Sequence, residues 1–351
     1  MPIAQPSRAA LQGLIVYAGF VVIFLFFTVM LWDRGFVTTS NLSNIILQTA
    51  PATVMAVGLV FVLSAGEIDL SFGAIVALAA IVAAVVMREA HWTVGLAAGL
   101  GTGMLAGAVN GAIVAYARLP SFLVTLATMG IIAGAARQIS DLQSISVTAQ
   151  PFIAIFGGGR LFGIPSLVFW TIAALVIGHI VYRETRFGAH VRAVGDNPRA
   201  ALVSGIKVAR VRMSVLVLSG FCAGLAGMLY AGRVQSARYT LGESDLMTVI
   251  AAVIVGGTAL NGGRGTIPGA LVGSLMMGML SNGLILMNLS VSWQMMIKGL
   301  IVLVAVAISL REPSREGGRR CFWMSCDGAT RSSCWPHSGC TATARSRPMP
   351  M

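Results

Sequence analysis

Leu11 to Trp32 and Leu42 to Ala65 each run for more than twenty residues without a charged side chain. A helix rises about 1.5 Å per residue, so about twenty apolar residues cross the hydrocarbon core of a bilayer. Further uncharged runs follow at Leu70–Met87, Trp92–Ala117, Leu119–Ala136, Pro165–Tyr182, Met213–Gly232 and Leu246–Gly263. The stretch Gly265–Ile297 is too long for one helix, and the polar "NLSVS" at 288–292 divides it; the last span then runs to about Leu310. Only 10% of the residues are charged and 56% are hydrophobic, against about a quarter charged in a soluble domain. These runs predict an all-α membrane protein with about ten transmembrane helices.

Orientation rests on one connection. Residues 183–212 hold Arg183, Arg186, Arg192, Arg199, Lys207, Arg210 and Arg212 against Glu184 and Asp196. The positive-inside rule puts this loop, between crossings six and seven, in the cytoplasm. With ten crossings, both termini are then cytoplasmic. The first apolar run is too long for a secretory signal and lacks a small-residue cleavage site, so it is read as a retained crossing. The net charge of +12 sits largely in that loop and the tail, where anionic headgroups are the expected neighbours, and does not argue for nucleic acid.

Gly95, Gly99, Gly103, Gly107 and Gly111 recur every four residues along crossing four, and Gly265, Gly269 and Gly273 repeat the pattern at crossing nine. Small-xxx-small faces let helix backbones approach in lipid, so these stripes predict packing. No G-x-x-x-x-G-K-[ST] phosphate loop, H-E-x-x-H pair or nucleophile elbow is present, and no histidines stand at metal spacing. No enzyme activity and no bound cofactor is expected. What remains is transport, driven by a partner or coupled to an ion gradient.

Two features bear on which. The inner loop reads "RFGAHVRAVGDNPRAALVSGI". Asp196 or Asn197 can N-cap a short helix, Pro198 suits its first position, and Gly205 suits its C-terminal stop. About two turns, Arg199 to Ser204, are unstable alone in water and must dock. They can dock on their own chain, or on another subunit as a coupling helix that uses Gly195, Asp196, Asn197, Pro198, Ala200, Ala201 and Gly205. The second feature is "SAGEIDLSFGA" at 64–74, which puts Glu67 and Asp69 amid apolar sequence. A carboxylate in hydrocarbon costs about 2.5–3.5 kcal/mol on insertion scales. Gly66 and Ser71 suit a helix break, with Ser71 as N-cap. The acids mark either a capped turn or a gate in the translocation path. Asn110, Thr125 and Thr128 are further polar candidates for the path or for helix-to-helix hydrogen bonds, and Lys298 is expected to snorkel outward past Trp293.

"SAGEIDLSFGA", "LPSFLVTLATMGIIAG", "TRFGAHVRAVGDNPRAALVSGI", "VIVGGTALNGGRGTIPGALVG" and "WQMMIKGLIVLVAV" occur in this order. Together they resemble the membrane subunits of ribose-type ATP-binding-cassette importers, over roughly residues 12–310. The "VGG…GTIPGA" segment is shared with branched-chain amino-acid permeases, which do not typically carry "IDLS". One departure is Ala133 before Gly134, where the family often has an Arg. The resemblance implies a vitamin-B12-permease-like, type II importer fold in the bacterial inner membrane. It implies two permease subunits, identical or different, and cytoplasmic ATPases that use ATP and Mg²⁺. A periplasmic binding protein would deliver a sugar of ribose, pentose or hexose type. The rival is an ion-coupled secondary transporter with Glu67 or Asp69 as proton carrier.

Residues 1–310 are thus read as the transmembrane domain and 311–351 as an atypical tail. Four of the five cysteines, at 321, 326, 334 and 340, lie there with a spacing unlike a zinc site. Only two of the chain's 24 Lys and Arg residues are lysines, as in arginine-rich text from a GC-rich gene, and the tail is read as disordered or a frameshift product.

Overall fold

The computed structural model describes residues 8–311; the tail from 312 lies outside them, so the readings of its four cysteines have no structural counterpart. The described chain is helical throughout, in thirteen helices of at least six residues: α1 (Arg8–Met30), α2 (Thr39–Ser64), α3 (Phe72–Glu89), α4 (Trp92–Tyr116), α5 (Ser121–Ser140), α6 (Gln150–Phe156), α7 (Ser166–Arg183), α8 (Arg186–Asp196), α9 (Pro198–Val203), α10 (Val208–Val234), α11 (Asp245–Val255), α12 (Ile267–Leu286) and α13 (Val291–Arg311). Two minimal antiparallel pairs complete it: β1 (Ile145–Ser146) with β4 (Ser236–Ala237), and β2 (Arg160–Leu161) with β3 (Ile164–Pro165).

Seven described helices, α2, α3, α4, α5, α7, α10 and α12, are long and apolar enough to cross a membrane, and three shorter apolar stretches lie in α1, α11 and α13. Apart from Leu246–Gly263, the expected runs fall on these helices within a few residues, and the polar break at 288–292 falls at the junction of α12 and α13. α2 is the central rod, with every residue from Thr49 to Ser64 buried. α7, α10, α11 and α12 pack around it. α4, α5 and α7 leave large apolar side chains such as Leu105, Ile131 and Ile177 exposed, as lipid-facing helices do.

The glycine stripes are packing devices. On α4 a Cβ at Gly95 or Gly99 would meet the Ala83 or Ala79 carbonyl of α3 at 2.8 and 2.9 Å. At Gly103 and Gly107 it would run into the Gly220 and Leu216 carbonyls of α10, and at Gly111 it would meet the Met213 carbonyl at 2.9 Å. One glycine edge therefore serves two neighbours in turn. Gly269 and Gly273 of α12 press in the same way on Gly256 and Ala252 at the end of α11.

Two expectations need correction. Crossing eight was read as continuous from Leu246 to Gly263, but α11 stops at Val255, and Gly257, Gly262 and Gly263 with positive φ turn the chain through 256–266. Before α11 the chain is not helical either. It descends from β4 until Gly242 lies against Gly73 and Val76 near the start of α3. An eleven-residue helix spans about 16 Å, half a bilayer core. Non-helical backbone at such depth is tolerated where protein buries it or where it lines a polar cavity. The basic connection is also shorter than 183–212, because Val208–Arg212 form the first turns of α10. It carries α8, which the loop reading did not contain. Its apolar side, Phe187, Val191 and Val194, faces the core, and Phe187 stacks on Phe61 of α2 at 6.1 Å.

Candidate functional site

α2 ends in a Schellman turn. Gly66 has φ +77°, its N–H donates to the Leu63 carbonyl (2.9 Å), and the Glu67 N–H donates to the Val62 carbonyl (3.1 Å). The chain then runs unwound to Ser71, and three helices, α4, α5 and α10, hold it. Glu67, buried, pairs with Arg212 of α10 (Oε1 to Nε, 2.7 Å). The Ile68 N–H donates to Ser121 Oγ (3.0 Å), and its carbonyl accepts from Thr125 Oγ1 (3.2 Å), both on α5. Asp69 Oδ1 accepts from the Ser71 N–H (2.9 Å) and the Ser71 hydroxyl (2.7 Å), and Oδ2 accepts from Ser219 of α10 (2.7 Å). Asn110 of α4 donates its amide N–H to Ser71 Oγ (2.8 Å).

Several sequence readings change here. Ser71 does not cap α3 with its own side chain; its hydroxyl is spent on Asp69, and Asp69 supplies the oxygen that caps the Ser71 amide. Asn110 and Thr125 do bond between elements. Thr128 does not: its hydroxyl reaches only the Thr125 carbonyl of its own helix (3.3 Å). Asp69, Ser71, Asn110 and Thr125 are buried within the chain and form a bonded knot. Arg212 was read only as part of the basic connection and Ser219 was not singled out, because they lie more than 140 residues from their partners in sequence. A basic and a hydroxyl residue seven apart on one helix were the only signal.

The basic connection is attached to this knot. Tyr182, at the end of α7, donates its hydroxyl to Ser64 Oγ (2.9 Å). Arg192 of α8 donates to the Tyr182 carbonyl and lies over the Tyr182 ring at 5.1 Å. Gly195 packs so closely on the Ser64 carbonyl and the Gly263 amide that a Cβ has no space, and Gly66 lies opposite it. Any side chain at 195 would push α8 off the end of α2.

α9 forms as the residues predict. Asn197 is its N-cap, accepting from the Arg199 and Ala200 amides (3.1 and 3.0 Å), while Asp196 closes α8. Pro198 takes the first position. Gly205, φ +84°, ends the helix in a second Schellman turn: its N–H donates to Leu202 and that of Ile206 to Ala201, both 3.0 Å. The faces differ from expectation. Ala201 points into its own core, whereas Ala200 is exposed, Leu202 is 63% exposed and Val203 89% exposed. The outward apolar tip of α9 is thus Leu202 and Val203, which the emphasis on small residues had passed over.

This arrangement ties the end of α2 to α4, α5, α7, α8 and α10. Asp69 has both oxygens engaged, and Glu67 has the Arg212 cation against Oε1. Among the described residues no group of three or more His, Cys, Asp or Glu side chains could hold a metal ion. Asn197→Ala should cost about 1 kcal/mol of local order in α9 by removing two capping bonds. Hydrogen exchange of the Arg199 and Ala200 amides checks this, with faster exchange expected there and unchanged exchange in α10.

A family model described as "Branched-chain amino acid transport system / permease component" matches residues 41–306. The ribose import permease protein RbsC of Bacillus subtilis (strain 168) is 35% identical over 304 residues, 86% of this chain and 94% of that protein. The L-arabinose ABC transporter permease protein AraH of Azospirillum brasilense is 36% identical over 303 residues, 86% of this chain and 89% of that protein. The RbsC of Escherichia coli (strain K12) is 36% identical over 278 residues, 78% and 87% of the two chains. No solved structure matches the chain. With its apolar spans, its bonded connector and these relatives, the chain belongs to this permease family, whose members include ribose and L-arabinose import permeases.

Proposed function

We propose that this chain is the membrane subunit of an ATP-driven bacterial importer and forms the translocation path for a sugar of pentose or hexose type across the inner membrane. In this reading it crosses the membrane ten times, with α11 as a half-length helix, in the type II importer fold with cytoplasmic termini. Two such subunits pair, cytoplasmic ATPases hydrolyse ATP with Mg²⁺, and a periplasmic binding protein delivers the sugar. The chain itself binds no nucleotide. The relatives named for ribose and L-arabinose favour a sugar over a branched-chain amino acid.

The observation that carries the driven mechanism is the build of α8 and α9. An exposed apolar tip, Leu202 and Val203, stands on a short capped helix. Behind it, Gly195, Arg192 and Tyr182 are locked to the end of α2, where Glu67 and Asp69 tie in α10, Ile68 ties in α5 and Ser71 ties in α4. A push on the tip therefore reaches the helices that frame the path. A short helix with an apolar tip in water needs a partner surface. The proton-carrier alternative gains nothing from carboxylates that are already engaged.

Val203→Asp tests this. The residue is almost fully exposed, so the subunit should reach the membrane at its normal level. Co-purifying ATPase and substrate-stimulated ATP hydrolysis should each fall by about tenfold or more, because a charge is buried unpaired at the contact. Full retention of the ATPase would remove the coupling assignment. Ala201→Arg is the wrong probe, since it would disrupt the chain's own core.

A further inference from the structure

A polar cavity of about 470 Å³ lies where α10 ends and α11 begins. Gln48, Tyr230, Arg233, Thr240, Ser244 and Asp245 line it. Gln48 is nine residues inside α2, about 14 Å from that helix's start. Arg233 is 25 residues along α10 from Val208, so the cavity lies at the far end of α10 from the α8–α9 segment, about 38 Å away. Its floor is the descending segment 240–244, which packs on the start of α3. In the proposed topology, with the α8–α9 segment cytoplasmic, the cavity opens on the outer side beside the N-terminus of the half-length α11.

Its polar groups are organised. The Tyr230 hydroxyl donates to Asp245 Oδ2 at 2.6 Å, which fixes the carboxylate. Arg233 and Lys298 of α13 both lie near enough to Asp245 to interact with it electrostatically, yet neither comes within 4.0 Å as an ion pair. Asp245 keeps acceptor capacity, and Arg233 and Gln48 keep donors. Ionisable groups at membrane depth are expensive and are retained where they serve a path.

We propose that this cavity is a receiving site for a neutral monosaccharide, in which Asp245 accepts sugar hydroxyl protons and Arg233 and Gln48 donate to sugar oxygens. The site rests on the reading of the chain as a sugar permease and assigns the residues that take the sugar after it leaves the binding protein. The chemistry selects the ligand class. An anion would face the Asp245 carboxylate, and a cation would face Arg233. A polyol satisfies acceptor-only and donor-only groups side by side. The volume lies in the usual range for small-ligand sites. Tyr230 is a positioning residue that holds the Asp245 rotamer.

The test uses the whole importer, this subunit with its ATPase and binding protein, in proteoliposomes, with D-ribose and L-arabinose as probes. Asp245→Asn and Gln48→Ala should each lower ATP-driven uptake by about tenfold, the loss expected when a hydroxyl-binding group goes unpaired. ATPase stimulation by the loaded binding protein should persist, because docking and coupling lie elsewhere. In a second measurement, a membrane-impermeant maleimide should label Thr240→Cys from outside, and the better-transported sugar should slow that labelling. Unchanged uptake in both variants, or labelling indifferent to sugar, overturns the site while leaving the permease reading intact. Loss of ATPase stimulation together with uptake also overturns it, because the role is then structural. A wild-type complex that moves neither sugar removes the permease reading and the site with it.

Discussion

Gly103→Ala is expected to destabilise the subunit by about 3 kcal/mol or more, while Gly101→Ala, two residues away on the same helix, should leave it unchanged or slightly firmer. A Cβ at 103 would fall on the Gly220 carbonyl and within 3.0 Å of the Gly224 Cα, whereas one at 101 meets nothing within 4 Å. Flexible side chains can give way, but two helix backbones can separate only along their length. Overpacking of rigid contacts costs about 1–3 kcal/mol, and more when backbone must move. At Gly101 the gain in helix propensity, up to about 1 kcal/mol, is all that is left. Thermal unfolding of the purified variants in detergent separates them. Equal midpoints would mean that α4 and α10 are not pressed together at this glycine.

The second large effect is at Asp69. Asp69→Ala should cost roughly 3 kcal/mol or more and sharply reduce subunit in the membrane. It leaves the Ser71 amide, the Ser71 hydroxyl and the Ser219 hydroxyl without their acceptor in a buried site, at about 1–3 kcal/mol for each group left unmade. Asp69→Asn keeps Oδ1 for Ser71 and can donate its amide to Ser219, so it should cost about 1 kcal/mol and leave the subunit in place. Transport by Asp69→Asn should therefore stay near normal. A carboxylate acting as gate or proton carrier would lose function in both variants at normal membrane level, and comparing membrane level with uptake distinguishes the two roles.

The spans were legible because lipid imposes long uncharged runs that composition alone displays. The glycine stripe was legible because close approach in lipid needs small residues at a four-residue repeat. α9 was legible down to its caps, since Asn197, Pro198 and Gly205 each meet a local backbone demand. What depends on the other side of a contact was not. Ala201 and Val203 differ by two positions, yet one is buried and the other 89% exposed, and only the packing of α8 against α2 decides which. α8 was passed over amid Arg, His and Gly, although Phe187, Val191 and Val194 at i, i+4 and i+7 carried its signal. The broken crossing escaped because an apolar run does not record depth: Leu246–Gly263 is apolar enough to span, but its helix begins inside the protein and ends at Val255. The ties of Glu67 to Arg212 and of Asp69 to Ser219 join distant segments and leave no local pattern.

The central claim is that ATP hydrolysis by a partner drives a sugar through this subunit. Its most direct test is uptake of labelled D-ribose and L-arabinose into proteoliposomes that carry the subunit with its ATPase and binding protein. Uptake of at least one sugar is predicted to require ATP on the cytoplasmic side and the binding protein on the other, and to persist when a protonophore collapses the proton gradient. Uptake by the subunit alone, without ATP and abolished by the protonophore, would contradict it.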